Sequence, residues 1–137
     1  MDRFVEAQNN VYSNVIEELK NEKKTSHWMW YIFPQLTTLG RSKRAIYYGL
    51  DDAEATKEYC SNKLLHNRYL ECCHILLNTQ QTNPEEIFGP IDAIKLNSSL
   101  TLFYIVDKEN RALYERLIHK FYDGRMDPLT LDFFNAK

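Results

Sequence analysis

Apolar side chains recur every three or four residues along most of the chain, the spacing of an amphipathic α-helix. Four glycines and four prolines are too few for the turns of a many-stranded β fold. Residues 101–106 also have the composition of a buried strand, but a lone strand would lack a pairing partner. The predicted helices cover 2–23, 26–33, 43–48, 51–61, 63–79, 83–88, 91–106, 110–123 and 128–134.

Helix-end signals mark several of these boundaries. Asp2 and the pair Thr25-Ser26 are candidate N-caps, and Asp51 with Glu54 has the spacing of a capping box. Asn83-Pro84 is a strong helix start, and residues 88–90 (Phe-Gly-Pro) predict a break. With 137 residues, the sequence predicts one domain over 1–137, an all-α orthogonal bundle of seven to nine mostly short helices.

The charge of the chain argues against nucleic acid as a partner but leaves the role of one group of basic residues open. A formal net charge of −2 gives no support for general nucleic-acid binding. Basic residues nevertheless flank the segment 26–35 on both sides: Lys20, Lys23, Lys24, Arg41, Lys43 and Arg44. They are either solvated charges at helix ends or a rim that attracts a small molecule carrying phosphate.

Cysteine usage and hydropathy predict a cytoplasmic protein. Cys60, Cys72 and Cys73 lack the spacing of a zinc site, and adjacent cysteines on a helix do not readily form a disulfide. They are interpreted as small core side chains in a reducing compartment. With no apolar leader and no 18-residue apolar span, we predict no membrane association, and we predict neither a metal nor a cofactor.

The most informative segment is 26–35, Ser-His-Trp-Met-Trp-Tyr-Ile-Phe-Pro-Gln, which contains both tryptophans. Indoles bury a large flat surface and keep one N–H that needs a partner. Trp28 and Trp30 therefore suit either the wall of a pocket or a tightly packed core. Because they are two residues apart on a predicted helix, they face different sides, and the sequence does not tell which one faces a pocket.

A second polar stretch interrupts an apolar segment at residues 92–101. On a helix, Asp92, Lys95 and Ser99 share one face, and Ser98 lies beside them. A carboxylate held by a lysine orients water or grips ribose hydroxyls, while serines donate to phosphate oxygens. The alternative is a surface ion pair worth at most about 0.5 kcal/mol.

None of the specific catalytic signatures is present in the sequence. It lacks a nucleophile elbow, a phosphate-binding loop, a dinucleotide fingerprint and a metalloprotease motif. Its four histidines lie on four separate segments, and only His27 adjoins an unusual cluster.

The segment 26–35 also carries a family resemblance. Together with residues 3–8, 86–103 and 121–131, it resembles domain-of-unknown-function family 1810 over nearly the whole chain. The resemblance implies a small, mainly helical cytosolic protein and supplies no established activity.

A weaker similarity concerns activity. Residues 62–79, with Glu85-Glu86 and Asp92 after them, resemble the layout of the NADAR family, helical proteins associated with ADP-ribose chemistry and N-glycosidic hydrolysis. What this resemblance implies here is limited to a nucleotide-ribose pocket.

We therefore expect a ligand pocket between residues 26–35 and 92–103. In this hypothesis the tryptophans stack on a flat ring, and Gln35, Ser98 and Ser99 hold polar edges or phosphate. Asp92, helped by Lys95, would orient water for hydrolysis of an N-glycosidic bond in an ADP-ribose-like substrate, with His27 as a spare acid or base. The competing hypothesis is a non-catalytic module that binds a protein or ligand. The oligomeric state is left open.

Overall fold

The computed structural model describes residues 1–135, and its regular structure is helical. Its nine α-helices are α1 (Asp2–Asn9), α2 (Tyr12–Lys20), α3 (Met29–Ile32), α4 (Lys43–Tyr47), α5 (Ala53–Ser61), α6 (Lys63–Leu77), α7 (Pro84–Val106), α8 (Arg111–Tyr122) and α9 (Pro128–Asn135). Two 3₁₀ helices span Thr37–Leu39 and Lys108–Asn110. The predicted all-α fold is confirmed. Within the described part of the chain, the only β pairing is an isolated bridge between Leu36 and Leu50.

The predicted helix over 2–23 is wrong, because the structure divides it into α1 and α2. Val11 leaves the helical region with φ −130° and ψ −5°. The two preceding asparagines are weak helix formers, since their side chains compete for backbone hydrogen bonds. Near the end of α1, the buried Gln8 donates from Nε2 to the Tyr31 carbonyl at 2.7 Å.

Some predicted caps are confirmed and others are wrong. Asn83 caps α7 through its side chain, with Pro84 as the first helical residue. The N-cap of α5 is Asp52 rather than Asp51, and its carboxylate accepts from the Ala55 N–H at 2.9 Å. Asp51 accepts instead from the Thr37 hydroxyl at 2.6 Å. Helix α3 begins at Met29, after the predicted Thr25-Ser26 start.

The kinked helix α7 runs through the centre of the protein and packs most extensively against α8. It breaks at Gly89, as predicted, and continues without interruption from residue 90 to 106. The strand alternative for 101–106 is therefore wrong. The polar positions in this second part stay helical because their side chains find partners: the Ser98 hydroxyl donates to the Ile94 carbonyl, and Ser99 pairs with the Tyr69 hydroxyl.

Aromatic side chains fill much of the core around α7. The rings of Tyr69 and Phe103 stack with centroids 3.9 Å apart, and Tyr59 and Tyr114 contact this pair edge-on. All four side chains are at most 1% exposed and belong to one buried cluster. Aromatic pairs of this kind add about 0.5–1.5 kcal/mol beyond the area that they bury.

The kink at Gly89 yields a stability prediction. Gly89 has φ +80° and ψ 166°, a conformation that is essentially restricted to glycine. A β-carbon there would meet open space, so backbone strain alone sets the cost. We expect Gly89→Ala to lower the free energy of unfolding by about 1–3 kcal/mol, measured by urea denaturation. The exposed helical control Glu86→Ala should stay within about 0.5 kcal/mol, and equal stability of the two variants would contradict the expectation.

Candidate functional site

An ion cluster forms at the start of the second part of α7. The Asp92 carboxylate receives Lys24 Nζ at 2.9 Å and lies 3.9 Å from Lys95 Nζ. The Lys24 side chain is only 7% exposed and that of Asp92 20%, so the pair is largely removed from solvent. Lys24 is fixed from its other end as well, because its backbone N–H donates to the Ile87 carbonyl at 2.8 Å. The sequence offered Lys95 as the partner of Asp92 and did not single out Lys24.

The same two lysines connect the carboxylate to the indoles. Lys24 Nζ lies 5.1 Å from the Trp28 ring centroid, and Lys95 Nζ lies 5.6 Å from that of Trp30. Both distances are within cation–π range. The structure therefore brings Asp92, Lys95 and the segment 26–35 together, although more than 50 residues separate them in sequence.

Trp28 belongs to the core. Its side chain is 1% exposed and packs against Phe33 and Phe88, with ring centroids 6.3 Å away in each case. Its indole N–H donates to Glu18 Oε1 at 3.0 Å. Of the two interpretations that the sequence left open, core packing holds for Trp28, and its ring offers no surface on which a ligand can stack.

Glu18, which accepts that hydrogen bond, also holds the loop that precedes Trp28. Its carboxylate also accepts from the backbone N–H groups of Thr25 and Ser26 and from the Ser26 hydroxyl. Burial opposes its ionisation, but these hydrogen bonds and the one from Trp28 outweigh that effect and lower the pKa of Glu18. An ionised Glu18 thus fixes the chain just before α3.

Trp30 is half-buried and lies between two cations. The Arg44 guanidinium carbon is 5.3 Å from its ring centroid, and Lys95 Nζ is 5.6 Å from it. Its Nε1 is buried and has no hydrogen-bond partner in residues 1–135. Beside the indole is a small cavity of about 10 Å³, lined by Met29, Trp30, Phe33, Gln35, Ala45, Tyr48 and Lys95.

The remaining predicted site residues lie apart from this cavity. Ser99 is fully buried and pairs with the Tyr69 hydroxyl at 2.8 Å, and Ser98 is 4% exposed and bonded to its own helix. Neither hydroxyl is free to hold phosphate in this conformation. The prediction overlooked that helical serines return their hydroxyl to the backbone four residues earlier. His27 is exposed and does not line the cavity.

The arrangement around Trp30 has a definite chemical character. Lys24 and Lys95 contact the Asp92 carboxylate, and Lys95 and Arg44 lie over the half-buried Trp30 indole, so Lys95 is common to both groups. Excess positive charge next to a flat ring attracts an anion that carries an aromatic group. Gln35 adds both a donor and an acceptor at the same place.

The structure contains a second polar cluster that was not predicted from the sequence. Ligand-type atoms of Cys60, His66 and Asp107 all lie within 4.8 Å of one another. Cys60 lies near the end of α5, His66 lies near the start of α6, and Asp107 is the residue that follows α7, so only folding brings the three together. The five-residue gap between Cys60 and His66 was the one signal in the sequence, and nothing there pointed to Asp107.

These features define a small all-α protein with a cationic, indole-lined surface site. The chain belongs to the family described as protein of unknown function (DUF1810), which matches residues 1–134. It is also similar to the crystal structure of the conserved hypothetical protein Rv1873 from Mycobacterium tuberculosis. The identity is 42% and the TM-score 0.93, over 96% of this chain and 94% of that one. No curated protein matches the chain.

A helix that crosses a membrane needs about 20 consecutive, mostly apolar residues. From residue 1 to 135, no helix combines the length and the apolar character needed to cross a membrane.

Proposed function

We propose that the protein binds a nucleotide-like ligand at the surface formed by Trp30, Gln35, Arg44, Asp92 and Lys95. The observation that carries the proposal is the buried Nε1 of Trp30, which has no partner in the described residues. A buried donor without an acceptor costs about 1–3 kcal/mol. A ligand that brings a carbonyl or ring nitrogen to this N–H recovers that free energy.

The size of the cavity restricts how such a ligand binds. A volume of about 10 Å³ admits roughly one polar atom, the space that a single water needs. The bulk of the ligand therefore lies outside, against the exposed part of Trp30, and one acceptor atom reaches inward. An ordered water on Nε1 is the competing occupant, and a ligand gains affinity by replacing it only if it reproduces the hydrogen bond.

Charge supports a phosphate-bearing ligand in particular. Arg44 is exposed, and Lys95 is held 3.9 Å from Asp92 while about a quarter of its side chain stays in solvent. Arginine binds phosphate through a planar fork and lysine acts as a point charge, so the two together suit a diphosphate. Of the basic residues that flank segment 26–35, Arg44 is the exposed one that lies over Trp30, whereas Lys24 is largely buried against Asp92.

Hydrolysis of an N-glycosidic bond remains the chemical part of this proposal. Asp92, positioned by Lys24 and Lys95, would orient a water toward the anomeric carbon, and exposed His27 would serve as the spare acid or base. The support for this role is the combination of a carboxylate and an indole at one site. The resemblance of residues 62–92 to the NADAR family remains a prediction.

The first experiment measures binding of ADP-ribose by titration calorimetry. We expect Trp30→Phe, which keeps a ring but removes the N–H, to weaken binding about tenfold, and Trp30→Ala to weaken it further because stacking is worth about 1–3 kcal/mol. Arg44→Ala should also weaken binding, whereas Arg116→Ala, an exposed cation on α8, should not.

Two results would oppose this proposal. Wild-type protein that binds neither ADP-ribose nor AMP nor NAD at millimolar concentration would end the nucleotide assignment. Equal affinities of the wild type and Trp30→Phe would show that the indole N–H is not part of the site.

A non-catalytic interaction module is the second candidate function. One observation favours it: Ile91 and Ile94, on the exposed side of α7, are 70% and 66% exposed. Adjacent apolar side chains at the surface are typical of a docking face. In that case Ile94→Asp would abolish partner binding and leave ADP-ribose affinity unchanged.

We also propose a cytoplasmic location. The support is that Cys60, Cys72 and Cys73 are all free thiols, as expected in a reducing compartment.

A further inference from the structure

A three-residue polar cluster lies at the meeting point of α5, α6 and α7, and the nucleotide site does not use it. His66 Nε2 and Asp107 Oδ2 are 2.8 Å apart, and Cys60 provides a thiol near both. We propose that Cys60, His66 and Asp107 bind a divalent transition-metal ion of the zinc type.

The ligand chemistry fits that ion. Thiolate, imidazole and carboxylate are the three ligand types that zinc accepts, and three protein ligands with one open position are typical of sites that also bind water or substrate. Hard cations such as magnesium prefer oxygen ligands throughout and are disfavoured by the thiol.

The geometry requires only a small adjustment. In a tetrahedral zinc site the ligand atoms lie about 3.3–3.8 Å apart, given bonds of about 2.0–2.3 Å. Here the three ligand atoms lie within 4.8 Å of one another, and the His66–Asp107 pair is closer than a metal-bound pair would be. Side-chain rotations that move the ligand atoms by about 1 Å would therefore convert the hydrogen-bonded cluster into a coordination shell. Cys60 and His66 are partly exposed and Asp107 is nearly buried, which limits the other conformations that the three side chains can adopt.

Supporting residues already hold the carboxylate in place. Asp107 Oδ2 accepts from the Tyr114 hydroxyl at 2.6 Å and from Asn110 Nδ2 at 3.0 Å. With the His66 contact, these hydrogen bonds all reach Oδ2, which leaves Oδ1 as the oxygen that the carboxylate offers to a cation. Ligating carboxylates are commonly oriented by such outer hydrogen bonds, whose loss reduces metal affinity about 10–100-fold.

The surroundings of the cluster allow an ion to enter and disfavour a catalytic role for the Cys60 thiol. A cleft of about 570 Å³ opens beside the cluster, and its lining includes Lys57, Lys108 and Glu109. His66 Nε2 lies 2.8 Å from Asp107 Oδ2, so its ring nitrogen is engaged by the carboxylate and not by the Cys60 thiol. Because a catalytic pair needs the base within hydrogen-bond reach of the nucleophile, a Cys–His pair is the weaker interpretation of the same three residues.

The test uses Co²⁺ as a spectroscopic probe and Zn²⁺ as a competitor, with the full chain freed of metal by a chelator. We expect Co²⁺ to produce visible bands of tetrahedral coordination and a thiolate-to-metal charge-transfer band, both removed by Zn²⁺. Cys60→Ser should eliminate the charge-transfer band, and Tyr114→Phe should weaken Zn²⁺ binding roughly tenfold or more.

A matched control separates this site from other thiols and histidines. His66→Gln should weaken Zn²⁺ binding at least tenfold, whereas His74→Gln, an exposed histidine on the same helix, should not. Circular dichroism confirms that each variant is folded. A Co²⁺ spectrum identical to that of the aqueous ion would overturn the proposal, and so would a charge-transfer band that persists in Cys60→Ser. ADP-ribose affinity is measured in parallel, so failure here is distinguishable from failure of the nucleotide site.

Discussion

Trp28→Ala is expected to lower the free energy of unfolding by about 3–5 kcal/mol, the usual cost of removing a buried aromatic side chain. The indole is 1% exposed and contacts Phe33 and Phe88, so its loss opens a cavity in the main core. It also leaves the Glu18 carboxylate without one of its donors. Chemical denaturation monitored by far-UV circular dichroism gives the measurement, since the substitution removes one of the two tryptophans that fluorescence would follow.

Two control variants distinguish packing from hydrogen bonding and from ligand contact. Trp28→Phe retains a ring and removes the N–H that Glu18 accepts, so it should cost about 1–3 kcal/mol. Trp30→Ala, at a half-buried position, should destabilise less than Trp28→Ala and reduce ligand affinity more. A Trp28→Ala protein as stable as the wild type would show that this indole is not part of the core.

Asp92→Ala has the second-largest expected effect, because it leaves the Lys24 ammonium without its partner. That lysine side chain is 7% exposed and lies 2.9 Å from the carboxylate. Breaking a fully buried ion pair from one side costs about 3–5 kcal/mol. Since Asp92 retains 20% exposure, we expect about 2–3 kcal/mol here, measured by urea denaturation at low salt.

A double-mutant cycle with Lys24→Met assigns this cost to the pair. The coupling energy should be about 1–2 kcal/mol, so that the double variant is less destabilised than the two single changes predict. The exposed pair Lys57–Glu54 is the matched control, and Glu54→Ala should change stability by less than about 0.5 kcal/mol. If Asp92→Ala were no more destabilising than Glu54→Ala, the Lys24 contact would have no energetic role.

The ion pair also changes how catalysis should be tested. The sequence-based hypothesis predicts that Asp92→Ala abolishes turnover while leaving the fold intact. Because the structure gives Asp92 a stabilising partner, loss of activity in that variant would not separate chemistry from unfolding. Asp92→Asn keeps the size of the side chain and one oxygen near Lys24, so it is the better variant for an assay of ADP-ribose hydrolysis.

Much of the helical fold was predictable because its signals are local. The sequence around Asn83-Pro84 and Gly89 contains the start and the break of α7, and both are confirmed by side-chain and backbone geometry. The predictions failed where neighbouring residues compete for one role, as at Asp51 and Asp52, and where apolar periodicity continued across a helix break, as at Val11. Such choices depend on partners that are distant in sequence.

The candidate site was predictable only in part for the same reason. Composition identified the segment 26–35 and Asp92 as unusual, and folding does bring them together. Composition did not predict that Trp28 is buried, that Ser99 pairs with Tyr69, or that Lys24, in the loop after α2, contacts Asp92. Each of these facts depends on how segments that are distant in sequence pack together.

The sequence by itself determined an all-α chain with a break at Gly89 and two chemically unusual stretches, because helical periodicity, caps and glycine conformation act over a few residues. Only the tertiary structure decided which indole is core and which has a buried N–H that finds no partner in residues 1–135. It alone assembled Cys60, His66 and Asp107. Burial and coordination depend on contacts between distant segments, and those contacts exist only once the helices have packed.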